Sequence, residues 1–236
     1  KGNWGNKNET SSLGAGLTAD QELHSFLAGR IKQYPELVQS MPEIQKAIRM
    51  LVNCFRAGGT LFLCGNGGSF ADALHIAGEL NKSFKKPRPL PPAFRERLQQ
   101  QPGGNEIAGV LQQGLRTIVL GSNPSLLSAI DNDYSQRHLY FAQELVSLSK
   151  PGDVILGIST SGQAKNIRLA LITAKAGGVK SIALTGPAEN PLQEVADITI
   201  SSPGKDTATI QEWHIRIYHA LCELLEQIFF GESDTK

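Results

Sequence analysis

The stretch Leu61-Phe62-Leu63-Cys64-Gly65-Asn66-Gly67-Gly68-Ser69-Phe70-Ala71-Asp72 carries an apolar run into a glycine-rich turn, and His75 and Glu79 follow it. Such a run reads as a buried strand, and the turn as the opening of a helix. The first turn of a helix offers unpaired N–H groups and a partial positive charge, which together form a seat for phosphate. Glycine lets the backbone come close to the ligand. His75 and Glu79 are four positions apart and so share one helical face. That arrangement suits a proton-transfer pair or two metal ligands, the plainer alternative being an exposed His–Glu pair. A phosphate seat and an acid/base pair on one helix point to an enzyme acting on a small phosphorylated molecule. The glycine spacing is not that of a dinucleotide fold, and no lysine follows in the P-loop position.

A second turn of the same kind strengthens this reading. Val154-Ile155-Leu156-Gly157-Ile158 leads into Ser159-Thr160-Ser161-Gly162-Gln163, and a helical pattern follows from Asn166 to Ala176. Three hydroxyls would be costly inside a core, but at the carboxyl edge of a sheet they can donate to phosphate oxygens. Near the C-terminus, Gln211, His214 and His219 fall on one long helical pattern. Gln211 and His219 would be roughly 12 Å apart along a straight helix. A bent helix, a long glutamine reach or ligands from different chains would reconcile them in one site. The reading taken here is a site at a subunit interface. His214 is a rival ligand on local spacing, and His219, set among apolar residues, also reads as a core histidine.

The elements that would position these groups are clear. The chain has 236 residues, enough for one sizeable domain, and a net charge of +1 gives no electrostatic case for nucleic acid. Cys54, Cys64 and Cys222 have no C-x-x-C spacing and read as buried free thiols of a reducing cytoplasm. No apolar run is long enough to cross a membrane. Residues 1–16 are polar and rich in Gly, Asn and Ser, and read as a disordered tail or expression remnant outside a single domain over 17–236. Residues 18–57 read as helical, with Thr18 a possible cap and a break near Pro35 and Pro42. Strands are expected at Thr60–Cys64, Thr117–Leu120, Asp153–Ile158, Lys180–Leu184 and Asp197–Ile200, with helices between and a long helix from about Thr209 to Phe230. Strand–helix alternation predicts an α/β fold with a doubly wound, five-stranded parallel sheet, flanked by helices and extended by N-terminal helices. The segment 84–116 breaks the rhythm. Its prolines argue against a regular helix in the first part, Glu106–Gly114 reads as a short helix, and Lys85, Lys86, Arg88, Arg95 and Arg97 could approach an anionic substrate.

With these features in view, the chain resembles the sugar isomerase (SIS) domain family, and within it the phosphoheptose isomerases, from about residue 20 to 230. The marks are Gly65-Asn66-Gly67-Gly68-Ser69 with His75 and Glu79; Ala129-Ile130-Asp131-Asn132-Asp133-Tyr134; Pro151-Gly152-Asp153-Val154 leading to Ser159-Thr160-Ser161-Gly162; and Asp206-Thr207-Ala208-Thr209-Ile210-Gln211-Glu212 with His219. The resemblance implies a cytoplasmic homotetramer with active sites between subunits. It implies contacts to a sugar phosphate from Asn66, Gly67, Gly68, Ser69, Asn132, Asp133, Ser159, Thr160, Ser161 and Gln211. It also implies a zinc site of His75, Glu79, Gln211 and His219, which settles the choice against His214, with Glu79 and His219 as acid/base residues. The implied reaction converts sedoheptulose 7-phosphate to D-glycero-D-manno-heptose 7-phosphate through an enediol. The alternatives are a non-catalytic SIS tetramer that bridges replication-initiator proteins, or an SIS protein acting on another sugar phosphate. Two departures stand out: Ala164 replaces the family's usual serine, and the 84–116 segment exceeds the usual connection.

Overall fold

The computed structural model describes residues 19–231, so the expected tail and the Thr18 cap lie outside the described residues. The chain begins with α1 (Ala19–Gln33), a 3-10 turn (Pro35–Ser40) and α2 (Met41–Arg56). Pro35 and Pro42 divide the predicted helical stretch as expected, Pro42 sitting in the first turn of α2, where its missing N–H costs nothing. The stripe Ile44, Ile48, Leu51 and Val52 is buried.

Five strands follow: β1 (Leu61–Gly65), β2 (Thr117–Val119), β3 (Val154–Ser159), β4 (Lys180–Thr185) and β5 (Ile198–Ser201). Every one was expected, and no end is displaced by more than one residue. They form one parallel sheet in the order β2-β1-β3-β4-β5. Strand residues alternate between two cores. Leu61, Leu63, Leu156, Ile158, Ile182 and Leu184 face a core shared with α2, α3 (Gly68–Asn81) and α9 (Thr207–Phe230). Phe62, Cys64, Ile155 and Ala183 face the other core, with α7 (Tyr140–Leu148) and α8 (Lys165–Ala176). The sheet is therefore doubly wound. All three cysteines are buried free thiols, and burial pushes the Cys64 thiol up to about 12.

This topology places a crevice. The chain leaves β1 for β2 on one side and returns to β3 on the other, so β1 and β3 are neighbours at the switch point. Helix α3 then leaves β1 toward one core, while α8 leaves β3 toward the opposite core. The two loops between them cannot close over each other, and they face a common opening at the carboxyl edge.

The 84–116 segment corrects two expectations. Helix α4 (Pro92–Gln99) lies where the prolines seemed to argue against one, because Pro92 occupies its first turn. The helix expected over Glu106–Gly114 shrinks to α5 (Gly104–Ile107); Gly109 and Gly114 flank or interrupt that stretch and weaken helix there. The excursion is closed at its base by a Pro89–Gln112 bridge and by Gln113 N–H donating to the Arg88 carbonyl at 2.8 Å.

A buried ion pair fastens the same base to α9. Arg88 Nε donates to Glu226 Oε1 at 2.8 Å, with both side chains almost fully buried. Glu226 also accepts from the backbone N–H groups of Phe84 (2.8 Å), Lys85 (2.7 Å) and Lys86 (3.0 Å). Arg88 further donates to the carbonyls of Leu80 (2.9 Å) and Glu79 (3.1 Å), closing the C-terminal end of α3. Arg88 is thus structural and not a surface cation, and Lys85 pairs with Glu223 at 2.7 Å.

Burial alone would raise the Glu226 carboxyl, but the Phe84 and Lys85 amides and the Arg88 guanidinium outweigh it and hold it below the usual range. A depressed carboxyl stabilises the fold above its unfolded pKa, and that contribution fades as pH falls through the folded value. Glu226→Gln leaves Arg88 buried without its counter-charge, which costs about 3 kcal/mol. Thermal melts at pH 7 are expected to show a loss of roughly 6–12 °C. The gap between wild type and variant should narrow as the melts are repeated toward pH 3. Equal melting temperatures at pH 7 would remove this clasp from the account.

Candidate active site

Helix α3 starts directly from β1. Gly67, at its N-cap, has φ +55°, a conformation that a side chain would strain. Gly68 comes next, and a Cβ there would collide with the side-chain amide of Gln211. The glycine pair thus makes the turn and admits α9 against it. Asn66, Gly67 and Gly68 are exposed and Ser69 is buried behind them.

The second turn, Ser159 to Gly162, stands beside the first because Gly65 is in register with Ile158. Ser159 is buried and its Oγ accepts the Gly162 N–H at 3.1 Å, while Ser161 is exposed. Asn66 and Asn166 clamp the two turns. Asn66 Nδ2 donates to Asn166 Oδ1 at 3.0 Å, and Asn166 Nδ2 returns a bond to Asn66 Oδ1 at 2.8 Å. The Tyr140 hydroxyl joins them, donating to Asn66 Oδ1 at 3.2 Å. The sequence reading missed Asn166 and Tyr140, which lie 100 and 74 positions from Asn66. Ala164, the residue that replaces the expected serine, is the N-cap of α8 and offers no capping bond.

Helices α3 and α9 both start at the carboxyl edge and run back along the sheet, so they lie parallel. Gly68 meets Gln211, and His75 meets Tyr218 at the same separation of 143 positions. One further residue along α9 brings His219 to His75, with ring centroids 5.0 Å apart. His75 Nε2 lies 3.1 Å from Glu79 Oε1, and His75 Nδ1 lies 2.9 Å from the Tyr218 hydroxyl. Phe84 covers the far side of His219, with centroids 5.3 Å apart. His75 thus meets both Glu79 and His219 within one chain. Burial, and then the charge on His75, hold His219 below the ordinary histidine range, so its ring is neutral at pH 7.

The Gln211 side chain stands at the turn. It lies with Gly68, seven residues up α3 from His75, roughly 10 Å away along the helix. Asn132 and Asp133 are exposed at the end of α6 (Pro124–Asp133), where Asn132 Nδ2 donates to Asp133 Oδ1 at 3.0 Å. His214 is fully buried with neither ring nitrogen hydrogen-bonded, and burial lowers its pKa to about 4.

The metal reading can be tested on one atom. His219 Nε2 is buried and has no hydrogen-bond partner, which is the condition of a nitrogen that a metal would satisfy. Two imidazoles and a carboxylate are suitable zinc donors. Among the described residues, no three His, Cys, Asp or Glu side chains lie close enough together to enclose an ion.

The comparisons with known proteins agree with this architecture. SIS domain family models match residues 30–101 and 134–228. The phosphoheptose isomerase of Trichlorobacter lovleyi is 34% identical over 214 residues, covering 89% of this chain and 96% of the relative. That of Geotalea daltonii is 35% identical over 213 residues, covering 90% and 98%. Among solved structures, the phosphoheptose isomerase GmhA of Neisseria gonorrhoeae superposes with a TM-score of 0.63 at 28% identity, covering 87% of this chain and 98% of that one. The phosphoheptose isomerase of Francisella tularensis gives 0.65 at 27% identity, covering 89% and 100%. With its doubly wound sheet, its paired turns and relatives matched over nearly their whole length, the chain belongs to the phosphoheptose isomerase family of SIS-domain proteins.

Proposed function

We propose that this protein is a ketose–aldose isomerase that converts sedoheptulose 7-phosphate to D-glycero-D-manno-heptose 7-phosphate. The observation that carries the reading is the meeting of His75, Glu79 and His219 in one place, on helices that begin at a pair of hydroxyl- and glycine-rich turns.

The phosphate belongs at those turns. Thr160 and Ser161, the start of α3 near Ser69, and the Gln211 amide beside Gly68 supply donors on one edge of the sheet. Asn66 contributes by holding the two turns together, since its amide is already engaged with Asn166. Asn132 and Asp133, exposed on α6, are assigned to the sugar hydroxyls. Glu79 removes the proton from the carbon beside the carbonyl, giving the enediolate, and returns it to the neighbouring carbon to complete the aldose. His219, neutral at pH 7, carries one N–H and one lone pair, so it can pass a proton between the two enediol oxygens. Zinc at this place would be anchored by His75, with Glu79 and His219 completing the set when they are not engaged with the substrate, and it would polarise the substrate carbonyl. Gln211 is kept for the phosphate end, because it lies away from these three.

A homotetramer and a cytoplasmic setting complete the proposal. The assembly is what the family resemblance implies. The buried free thiols suit a reducing compartment, and no helix among the described residues is long and apolar enough to cross a membrane.

Two variants check the assignments. Glu79→Gln is expected to lower kcat by roughly a hundred- to ten-thousand-fold with KM little changed, read as aldose formed from sedoheptulose 7-phosphate; normal turnover would refute the base assignment. Ala164→Ser restores a cap to α8, worth about 1 kcal/mol, and should raise Tm by roughly 2–4 °C. The same variant should lower KM for the phosphorylated substrate. No gain in either quantity would mean that the α8 start does not face the phosphate.

A further inference from the structure

The two turns at the carboxyl edge are joined by a closed set of hydrogen bonds whose hydrogens can be counted. Asn66 Nδ2 donates to Asn166 Oδ1 at 3.0 Å. Asn166 Nδ2 gives one hydrogen to Asn66 Oδ1 at 2.8 Å and the other to the Tyr140 hydroxyl. That hydroxyl passes its own hydrogen to Asn66 Oδ1 at 3.2 Å. Burial raises the Tyr140 phenol above its ordinary range, so this hydrogen stays in place at neutral pH. Asn166 is 6% exposed, so water does not compete freely for its bonds.

A side-chain amide can be turned over, which exchanges its donor and acceptor ends. One backbone group decides the orientation here. The N–H of Ile167 donates to Asn166 Oδ1 at 3.0 Å. Ile167 lies in the first turn of α8, where an N–H has no partner within the helix, and Ala164 at the N-cap supplies none. A backbone N–H can only donate. Asn166 therefore keeps its oxygen at Ile167 and its nitrogen toward Asn66 and Tyr140. Asn66 has to answer with its oxygen toward those two donors, and both lone pairs of that oxygen are filled. An amide nitrogen carries two hydrogens, and Asn66 uses one on Asn166. Among the described residues, the second meets no acceptor, and Asn66 is exposed.

We propose that Tyr140 and Asn166 are positioning residues of the phosphate site, which lock the Asn66 amide with its oxygen engaged and one N–H free for an anionic oxygen of the ligand. The proposal rests on the placing of the phosphate at the two turns. A carbonyl oxygen turned toward a phosphate would repel it, and an amide free to turn would present either end. The asparagine pair alone leaves one lone pair of the Asn66 oxygen open. Tyr140 closes it from the start of α7, which ties a third element to the two turns.

The test is calorimetric titration of the full-length protein with inorganic phosphate and with sedoheptulose 7-phosphate. Tyr140→Phe keeps the ring against Phe141, whose centroid lies 4.3 Å away, and removes only the hydroxyl. Its Kd for phosphate should rise about 3- to 10-fold, the scale of one hydrogen bond. KM for sedoheptulose 7-phosphate should rise by the same factor while kcat holds. Asn166→Asp keeps both acceptor bonds and withdraws both donors, so it should weaken phosphate further, and it serves if Tyr140→Phe folds poorly. A lowered melting temperature with Kd and KM unchanged in both variants would make the network structural only and overturn the proposal, leaving the isomerase reading in place. Wild type that binds neither ligand would overturn the phosphate seat and the proposal together.

Discussion

The parallel packing of α3 against α9 is the constraint from which the site follows. Both helices start at the carboxyl edge of the sheet and run back along the same face, so contacts between them keep one register. Gly68 takes Gln211, His75 takes Tyr218, and His219 comes next to His75. A slip of one residue along either helix would turn His219 by about 100° around its axis, away from His75. Glycine at position 68 is what lets this register close, since a Cβ there would meet the Gln211 amide. Further down, Arg88 and Glu226 fix the same two helices by binding the α3 carbonyls and the α9 carboxylate together. The insertion after residue 84 is thereby tied into the frame of the site.

Much of this was legible in the sequence, for identifiable reasons. Strands β1, β3 and β4 are buried along nearly their whole length, so they read as unbroken apolar runs, and the alternation of strand and helix pointed to the parallel sheet. His75 and Glu79 were recoverable because a helix converts a spacing of four into contact. The break near Pro35 and the long final helix were equally local signals. Helix α4 was not recovered, because Pro91-Pro92 reads as a breaker until one knows that it begins an element. Glu106–Gly114 failed the other way, its apolar residues suggesting a helix that the glycines do not sustain.

What could not be read was the partnership between distant residues. Tyr218 sits in the apolar stripe of α9 and looks like core, and nothing local shows that its hydroxyl reaches Asp72 and His75, more than 140 positions away. Asn166 and Tyr140 look like a cap and a loose aromatic until β1 and β3 are placed side by side. Gln211 and His219 looked awkward as partners on one straight helix, although the family resemblance put both on one zinc. The structure keeps that distance, giving Gln211 to the turn at Gly68 and His219 to His75. Under the proposed function, Gln211 would serve the phosphate end of α9 and His219 the proton-transfer end.

The account depends on the sugar lying along this direction, anionic end at the turns and carbonyl end at the cluster. A crystal structure of the protein with sedoheptulose 7-phosphate bound is the most direct measurement. It should show the phosphate against Thr160, Ser161 and the start of α3, with the reacting carbons within hydrogen-bonding reach of Glu79 and His219. A substrate bound with those carbons remote from both side chains, in every subunit of the assembly, would contradict it.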